Sequence, residues 1–327
     1  MHETGNHQAP LLEIHQLAKK FPVRRSFLQA KTYVQAVSNL SFTIHNGETY
    51  GLVGESGCGK STTGRLLLRL QDPTAGNITY NGKDITHARE SELRQLRKDI
   101  QIVFQDPYSS LNPRIKIGDA IREPMNIFRI GDPGSRKKRV YELLQKVGLQ
   151  QDQYDRYPHE FSGGQRQRIV LARALAVNPR FLVCDEPVSA LDVSVQSQIL
   201  NLLQQLQAEY QLTYLFIAHD LSVVRHISQR IGVMYLGHLV EEAPTDQLFS
   251  DPAHPYTQAL LSAIPTTKPN RRRERIVLSG DVPSPIHLPS GCVFHPRCPA
   301  AIPSCREVVP LMRMISEHHR VACHLAK

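Results

Sequence analysis

The sequence contains no uninterrupted apolar stretch that approaches the about 18 residues of a membrane-spanning helix. Residues 1–10 are polar and lack the apolar middle segment of a secretion signal, so we expect a protein that is made and kept in the cytosol. Cysteine is scarce, because six in 327 residues are too few for a small disulfide scaffold. The 41% of hydrophobic and 21% of charged residues still predict one or more sizeable cores and exclude a globally disordered chain.

Positive charge exceeds negative charge, and the excess is unevenly distributed. The chain carries 39 Lys and Arg against 30 Asp and Glu, a net charge of +9, which suits a nucleic-acid, anionic-ligand or membrane-surface partner. Residues 266–327 hold 10 Lys and Arg against 4 Asp and Glu, together with four of the six cysteines and eight of the 22 prolines. This change in composition predicts a domain of residues 1–265 followed by a smaller, irregular extension of residues 266–327.

Hydrophobic periodicity predicts an α/β fold. Strands are expected at residues 11–14, 37–44, 49–53, 100–104, 181–184 and 214–218, of which the last two read as buried parallel strands. Helices are expected at residues 62–70, 140–147, 169–177 and 193–210. The order strand, helix, strand over residues 181–218 is typical of a parallel sheet in an α/β protein.

A glycine-rich segment between a predicted strand and a predicted helix matches the phosphate-loop pattern G-x-x-x-x-G-K-[ST]. It consists of Gly54, Glu55, Ser56, Gly57, Cys58, Gly59, Lys60 and Ser61, and Thr62 follows. In such a loop the backbone N–H groups surround phosphate oxygens, and the dipole of the following helix adds to the attraction. Lys60 would hold the β- and γ-phosphates, and Ser61 would ligate Mg²⁺. The alternative is a chance match in a glycine-rich turn, which the flanking strand and helix disfavour.

Two adjacent acids end a predicted buried strand downstream of this loop. Asp185 closes the apolar run at residues 181–184, and Glu186 follows it. An acid at the carboxyl end of a buried parallel strand lies beside the phosphate loop in such folds. Asp185 would hold Mg²⁺, directly or through water, and Glu186 would polarise the attacking water. Taken alone, the pair would be interpreted as a helix cap or a surface acid pair.

Four further segments resemble, in their order along the chain, the motifs of ATP-binding-cassette ATPases. Residues 161–168 resemble the family's signature motif; they are Phe161, Ser162, Gly163, Gly164, Gln165, Arg166, Gln167 and Arg168. Gln105 resembles the Q-loop glutamine, Ser189-Ala190-Leu191-Asp192 the D-loop, and His219 the switch histidine. Each match is weak alone, whereas their common order is specific. The resemblance implies a phosphate-loop NTPase with a central mixed sheet and a helical subdomain inserted at about residues 106–165.

The same resemblance implies a nucleotide site shared between two subunits. Ser162, Gly163, Gly164 and Gln165 would bind the γ-phosphate of an ATP molecule that the opposite subunit holds. This role is physically reasonable, because these residues open a helix whose N–H groups can bind an anion. Two such ATPase subunits would then enclose two ATP molecules between them.

Further roles carried over from the family concern turnover and adenine binding. Gln105 would reach Mg²⁺ and the attacking water, and His219 would contact the γ-phosphate. A structural histidine at a strand end is the alternative for His219. The family stacks adenine on an aromatic residue upstream of the phosphate loop. Tyr33 is the nearest candidate, with Phe27 and Phe21 as alternatives.

The last part of the chain resembles one particular group of ATP-binding-cassette ATPases. Residues 248–265 and 291–324 are similar to ATP-binding subunits of the dipeptide, oligopeptide and nickel importer family, most of all to the F-type ATPase subunits of dipeptide or oligopeptide importers. This implies a heterodimer with a sister ATPase, two integral-membrane permeases and an extracytoplasmic solute-binding protein. The chain would lie peripherally at the cytoplasmic face of the inner membrane and drive peptide uptake.

Several alternatives remain open from the sequence. Nickel, glutathione or antimicrobial peptides are alternative solutes, and a soluble cassette ATPase that remodels DNA or ribosomes is an alternative function. The excess of positive charge lies in residues 266–327 and not near the nucleotide motifs. No nucleic-acid partner is therefore expected.

Four cysteines of the extension, Cys292, Cys298, Cys305 and Cys323, have the spacing C-x5-C-x6-C-x17-C. This spacing matches neither the common zinc-finger pattern nor the ferredoxin patterns. Four thiolates suit Zn²⁺ or an iron–sulfur cluster, and four small buried side chains are the alternative. Disulfides are not expected in a reducing cytosol. The resemblance to the importer family implies a [4Fe–4S] cluster with a structural role, whereas zinc or no metal remain alternatives.

Overall fold

The computed structural model describes residues 9–23, 32–264 and 275–326. Its strands are β1 (Pro10–Val23), β2 (Thr32–His45), β3 (Thr49–Val53), β4 (Ala75–Tyr80), β5 (Lys83–Asp84), β6 (Ile100–Val103), β7 (Phe181–Asp185), β8 (Thr213–Ala218), β9 (Arg230–Tyr235), β10 (His238–Pro244), β11 (Arg313–Ser316) and β12 (His319–Val321). Among these residues, no helix is both long and apolar enough to cross a membrane.

Eleven α-helices are interspersed among these strands in the described residues. They are α1 (Lys60–Leu67), α2 (Glu90–Asp99), α3 (Pro107–Ser110), α4 (Ile117–Ile127), α5 (Pro133–Lys146), α6 (Gly163–Leu175), α7 (Val193–Tyr210), α8 (Leu221–Ile227), α9 (Thr245–Ser250), α10 (Pro255–Ser262) and α11 (Ser304–Glu307). Three 3-10 helices occur at Gln151–Asp155, Pro158–Glu160 and His295–Arg297.

The chain divides into two compact units, and the first consists of Met1–His45, Thr49–His87 and Ala218–Lys327. One of its sheets is antiparallel, with the strand order β2-β1-β4-β5. In its second sheet β11, β12, β10 and β9 are antiparallel neighbours, whereas β9 and β3 run parallel. β3 is buried along its whole length, as its apolar sequence predicts. The carboxyl end of β3 leads into the phosphate loop and then into α1.

The second unit consists of Asn46–Glu48 and Ala88–Ile217 and contains the helices α2 to α7. β6, β7 and β8 pair in parallel, with β7 in the middle. β7 and β8 are buried along their whole length. Helix α7 begins at an Asp192 cap and buries Ile199, Leu203 and Leu206 on one face, which is the spacing of an amphipathic helix. A buried, parallel strand therefore positions Asp185, its last residue, and Glu186, which follows it.

The predicted strands at residues 37–44, 49–53, 181–184 and 214–218 are confirmed, and α7 has the predicted bounds. Helix α2 and the β9–β10 hairpin were not expected. α2 buries only Leu93 and so has almost no apolar periodicity. In β10 the fully buried acids Glu241 and Glu242 interrupt the hydrophobic pattern. The predicted domain boundary between residues 265 and 266 lies outside the described residues.

Candidate active site

Two glycines determine the backbone path of the phosphate loop. A Cβ atom on Gly54 would lie 2.2 Å from the Met234 carbonyl oxygen, and one on Gly59 would lie 2.1 Å from the Ala36 carbonyl oxygen. Gly59 also has φ 103°, a conformation that L side chains rarely adopt, and it is the N-cap of α1. The close approach of β2 and β9 to the loop therefore requires glycine at both positions.

Lys60 is buried, and its ammonium group lies within the curve of the loop. Its Nζ donates hydrogen bonds to the carbonyl oxygens of Gly54 at 2.8 Å and Glu55 at 3.0 Å. Ser61 and Thr62 follow in the first turn of α1, at the positive end of the helix dipole. Together the ammonium group, the helix N-terminus and the hydroxyl group of Ser61 have the chemistry of a polyphosphate and Mg²⁺ site.

Cys58 is buried inside the same loop. Burial raises the pKa of its thiol, and Lys60 opposes that rise. Cys184, within β7, is also fully buried, and burial raises the pKa of its thiol strongly. Both cysteines are therefore neutral, small core side chains rather than nucleophiles.

In the second unit, the candidate catalytic acid and the Q-loop glutamine are in direct contact. Asp185 ends β7 as a buried residue, and Glu186 follows in a left-handed conformation with φ 48°. The Glu186 backbone N–H donates to the Ile217 carbonyl oxygen at 3.0 Å. Gln105 Nε2 donates to the carboxylate of Glu186 at 2.9 Å. The turn after β7 therefore aims Glu186 at the end of the neighbouring strand, β6.

The residues of the signature motif form the start of α6. Ser162 is the N-cap, and its Oγ accepts a hydrogen bond from the Gln165 backbone N–H at 3.3 Å, while Gln165 Oε1 accepts one from the Ser162 backbone N–H at 3.0 Å. A Cβ on Gly164 would lie 2.4 Å from Val195 Cγ1 on α7, whereas one on Gly163 would meet only ordinary contact at 3.5 Å. The signature motif thus forms a capped helix N-terminus with two glycines in its first turn, and such a helix end can bind an anion.

The signature helix also holds the segment that follows Gln105. The guanidinium group of Arg166 stacks on the ring of Tyr108, 3.8 Å from its centroid. Arg173 donates to the Ser110 carbonyl oxygen and to the Glu123 carboxylate on α4, both at 2.8 Å. Sequence reasoning placed Arg166 in the signature motif but assigned no role to Arg173, and it predicted none of these contacts. Their contacts join the Q-loop segment to the helix that carries the signature motif.

Two further predicted residues, His219 and Tyr33, occupy exposed positions in the first unit. His219 directly follows β8 and precedes the Asp220 cap of α8. Tyr33 lies on β2, is 42% exposed, and precedes by three residues the Ala36 carbonyl group that packs on Gly59. Phe21, on β1, pairs with Val34 on β2 and is half-buried, with Lys19 Nζ 5.0 Å from the centre of its ring. Phe27 lies outside the described residues.

Sequence reasoning missed the residues outside the phosphate loop that bond to its backbone and to its Glu55 side chain. Tyr256 Oη accepts a hydrogen bond from the Glu55 backbone N–H at 2.9 Å, and Arg297 donates to the Glu55 carboxylate. The Gly237 backbone N–H, in the turn of the β9–β10 hairpin, donates to the Cys58 carbonyl oxygen at 2.9 Å. These partners lie far from the loop in sequence, so no local pattern points to them.

The four cysteines of the extension form no disulfides, and the Cys292 thiol lies near the other three. The Cys292 backbone N–H donates to the Cys305 carbonyl oxygen at 2.8 Å. Burial raises the pKa of the Cys292 and Cys298 thiols, and the neighbouring thiols, including Cys323, add to the rise. Within the described residues, however, no three His, Cys, Asp or Glu side chains are arranged to hold a metal ion. The donor chemistry therefore suits a metal group, whereas the arrangement is not that of a single-ion site.

Comparison with known proteins agrees with this geometry. The ABC transporter family model matches residues 37–189, and the model of the oligopeptide/dipeptide transporter C-terminal region matches residues 240–305. The oligopeptide transport ATP-binding protein AppF of Bacillus subtilis is 53% identical over 326 residues, which cover 98% of this chain and 99% of the relative. The dipeptide transport ATP-binding protein DppF of Haemophilus influenzae is 51% identical over 315 residues, with 96% of each chain covered.

A solved structure resembles the fold as well. It is the dimeric ATP-binding cassette MJ0796 in a post-hydrolysis state with ADP and phosphate, with a TM-score of 0.64 and 29% identity over 72% of this chain and 98% of that one. The fold and the site define an ATPase of the ATP-binding-cassette type. The chain belongs to the ABC transporter ATPases that carry the oligopeptide/dipeptide transporter C-terminal region.

Proposed function

We propose that this chain is the ATP-hydrolysing subunit of an ABC importer that takes up dipeptides or oligopeptides. The observation that carries the proposal is the similarity to oligopeptide and dipeptide transport proteins over nearly the whole chain, including the C-terminal region. The chain would work at the cytoplasmic face of the inner membrane with two permeases and an extracytoplasmic solute-binding protein. This similarity favours an importer over a soluble ATPase that remodels DNA or ribosomes.

The proposed ATP site divides binding and hydrolysis between different residues. Lys60 and the N-terminus of α1 bind the β- and γ-phosphates, and Tyr33 stacks on the adenine. Glu186 polarises the attacking water and accepts its proton as general base. Gln105 orients Glu186 through their hydrogen bond of 2.9 Å. His219 donates to the γ-phosphate as negative charge develops on it.

Mg²⁺ suits the donor groups of the same residues. Ser61 supplies a hydroxyl oxygen, the buried Asp185 a carboxylate, and Gln105 an amide oxygen, because its amide nitrogen is the atom that bonds Glu186. Hard oxygen donors of this kind are what Mg²⁺ prefers. When bound, Mg²⁺ would neutralise charge on the β- and γ-phosphates.

A second ATPase subunit completes the proposed site. The start of α6, with Ser162 as N-cap and Gly163 and Gly164 in the first turn, would bind the γ-phosphate held by a sister ATPase in a heterodimer. Ser162 and Gln165 cap one another through their own N–H groups, so the phosphate would be bound by the backbone N–H groups of Gly163 and Gly164 in the first turn. The dimeric state of the similar cassette with ADP and phosphate supports a paired arrangement.

The four clustered cysteines are proposed to hold a [4Fe–4S] cluster that stabilises the proline-rich extension. The Cys292 and Cys298 thiols each lie near enough to Cys305 and Cys323 to be influenced by their charge, and four Cys thiolates are the usual ligands of such a cluster. Because no three of these side chains are arranged around a metal ion in the described residues, the cluster would have to draw the thiols together. Anaerobically purified protein should then be brown, absorb in the visible range and contain about four iron atoms per chain. A metal analysis that finds zinc instead, or neither metal, rejects the cluster.

Peptide uptake by cells that lack this chain tests the proposed function. Complementation with the wild-type chain should restore uptake of a labelled peptide. Lys60→Ala should not restore it, because the ammonium group that binds the phosphates is lost. Lys138→Ala, which removes an exposed lysine on α5, is the matched control and should behave as wild type. Unchanged peptide uptake without the chain, or full uptake with Lys60→Ala, contradicts the proposal.

A further inference from the structure

The phosphate loop contains one acidic side chain, and the C-terminal extension neutralises it. Arg297 Nη1 and Nη2 donate to the two carboxylate oxygens of Glu55 at 2.7 and 3.1 Å. The Arg297 side chain is 9% exposed and that of Glu55 27% exposed, so this bidentate pair is shielded more than an ordinary surface ion pair. Glu55 and Arg297 are 242 residues apart in sequence.

Arg297 is held in place by a buried aromatic cluster. It ends the 3-10 helix His295–Arg297, and Nη1 also donates to Tyr235 Oη at 3.4 Å. Phe294 packs on Tyr235 and Tyr256, with ring centroids 5.2 and 5.4 Å apart. Tyr256 in turn accepts the Glu55 backbone N–H at 2.9 Å. Both the backbone and the side chain of one loop residue are therefore fixed by this cluster.

Electrostatics gives this contact a consequence for nucleotide binding. The Glu55 carbonyl oxygen accepts a hydrogen bond from Lys60 Nζ at 3.0 Å, so Glu55 is part of the loop that surrounds the phosphates. An unpaired carboxylate at this position would repel a polyphosphate and would be free to compete for the Lys60 ammonium group. Bidentate pairing with a guanidinium group removes both effects.

We propose that Arg297 is a positioning residue for the ATP site, which neutralises Glu55 and fixes this residue of the phosphate loop from the C-terminal extension. The inference rests on the proposed ATP site at Lys60. It gives the extension a role in nucleotide affinity, in addition to any role in its own folding.

A double-mutant cycle on the purified full-length chain tests this role, with equilibrium binding of the fluorescent nucleotide mant-ATP as the readout. Arg297→Gln should weaken binding about tenfold, because it leaves a shielded carboxylate unpaired. Adding Glu55→Gln should restore most of the loss, since no uncompensated charge remains. Arg297→Lys, which keeps the charge without the bidentate geometry, should bind with intermediate affinity.

The matched control removes a different ion pair between the extension and the rest of the chain. Arg320 on β12 bonds the Glu242 carboxylate on β10. Arg320→Gln should lower the melting temperature as much as Arg297→Gln does, without weakening mant-ATP binding. This control separates loss of stability from loss of nucleotide affinity.

Two outcomes overturn the inference. One is an Arg297→Gln variant that binds mant-ATP as tightly as wild type. The other is equally weak binding by Arg297→Gln and by the double variant, which makes the role of Arg297 structural only. If Arg297→Gln does not fold, mant-ATP affinity is compared instead between Arg297→Lys and the double variant Arg297→Lys with Glu55→Gln. Tight binding by Lys60→Ala would instead overturn the proposed ATP site, which keeps the two failures distinct.

Discussion

Gln105 Nε2 donates a hydrogen bond of 2.9 Å to the carboxylate of Glu186. The contact follows from strand register. Val103 on β6 pairs with Cys184 on β7, Gln105 lies two positions after Val103, and Glu186 lies two positions after Cys184. Two parallel strands thus deliver a carboxylate and its orienting amide to the same sheet edge. The next residues after Gln105 are held by the signature helix, through Arg173 and the Ser110 carbonyl group.

Glu186→Gln should lower ATP hydrolysis by about 100-fold or more, because an amide cannot accept the proton of the attacking water. Nucleotide binding should persist, since Lys60 and the α1 N-terminus are unchanged. Phosphate release and mant-ATP binding measure the two effects on one preparation. Glu209→Gln, which breaks an exposed ion pair with Lys146, should leave both unchanged. Hydrolysis by Glu186→Gln at the wild-type rate would exclude Glu186 as the base.

Gln105→Glu should impair hydrolysis more than Gln105→Ala does. The first change places two carboxylates at hydrogen-bond distance, and their repulsion moves Glu186 from its position. Alanine removes the orienting bond and the proposed Mg²⁺ donor but adds no negative charge beside Glu186. Steady-state phosphate release at saturating ATP compares the two variants. Equal rates for both would mean that the contact does not position Glu186 during turnover.

The motif residues could be predicted from the sequence because each follows an element with a strong local pattern. β3, β7 and β8 are buried apolar runs, so Lys60, Asp185 and His219 could be placed at their carboxyl ends. The hydrogen bond between Gln105 and Glu186 follows from strand pairing, which no local pattern specifies.

The contacts of the C-terminal part of the chain could not be predicted from the sequence, because they join residues that are far apart in the chain. Arg297 and Tyr256 hold Glu55 across more than 200 positions of the chain, and neither lies in a periodic apolar segment that identifies its partner. The four extension cysteines were recognised as a group, but their spacing did not reveal how they are arranged, because irregular segments have no repeat from which to infer geometry.

His219→Ala should leave ATP binding largely intact and abolish most turnover. The histidine follows β8 in an exposed position and is proposed to donate to the γ-phosphate only as charge develops during the reaction. Its loss should therefore lower kcat more than it changes the affinity for ATP. The comparison is best made in the assembled transporter. An ATPase rate equal to that of wild type would remove His219 from the mechanism.

Gly164→Ala should destabilise the start of α6 by about 1–3 kcal/mol, the usual effect of overpacking. The added Cβ would lie 2.4 Å from Val195 Cγ1, so α6 and α7 would have to separate. Gly163→Ala is the matched comparison, because its Cβ would make only ordinary contact at 3.5 Å from Leu191. Thermal unfolding of both variants measures the difference. Equal melting temperatures would show that α6 moves aside without strain.

His254 makes the stability of the first unit depend on pH. It is buried, and burial lowers the pKa of its imidazole to about 4, although Glu241 opposes the shift. Its Nδ1 accepts the Tyr256 backbone N–H at 3.1 Å, a bond that the protonated ring cannot accept. In the unfolded chain the imidazole is protonated below about pH 6.5, whereas in the folded chain it is protonated only below about pH 4. Between these values the unfolded chain binds more protons, so the free energy of unfolding falls as the pH decreases.

His254→Asn should reduce this loss of stability at acid pH. Asparagine keeps an oxygen acceptor at the N-cap of α10 but does not titrate. Protonation of the unfolded chain should cost wild type about 2 kcal/mol of unfolding free energy at pH 5, and the variant should lack this contribution. Urea unfolding at pH 7.5 and pH 5 gives the change in unfolding free energy between the two pH values for each protein. Any pH-independent loss of stability caused by the smaller asparagine side chain cancels in this comparison. An equal decrease in both proteins would assign the acid sensitivity to other groups.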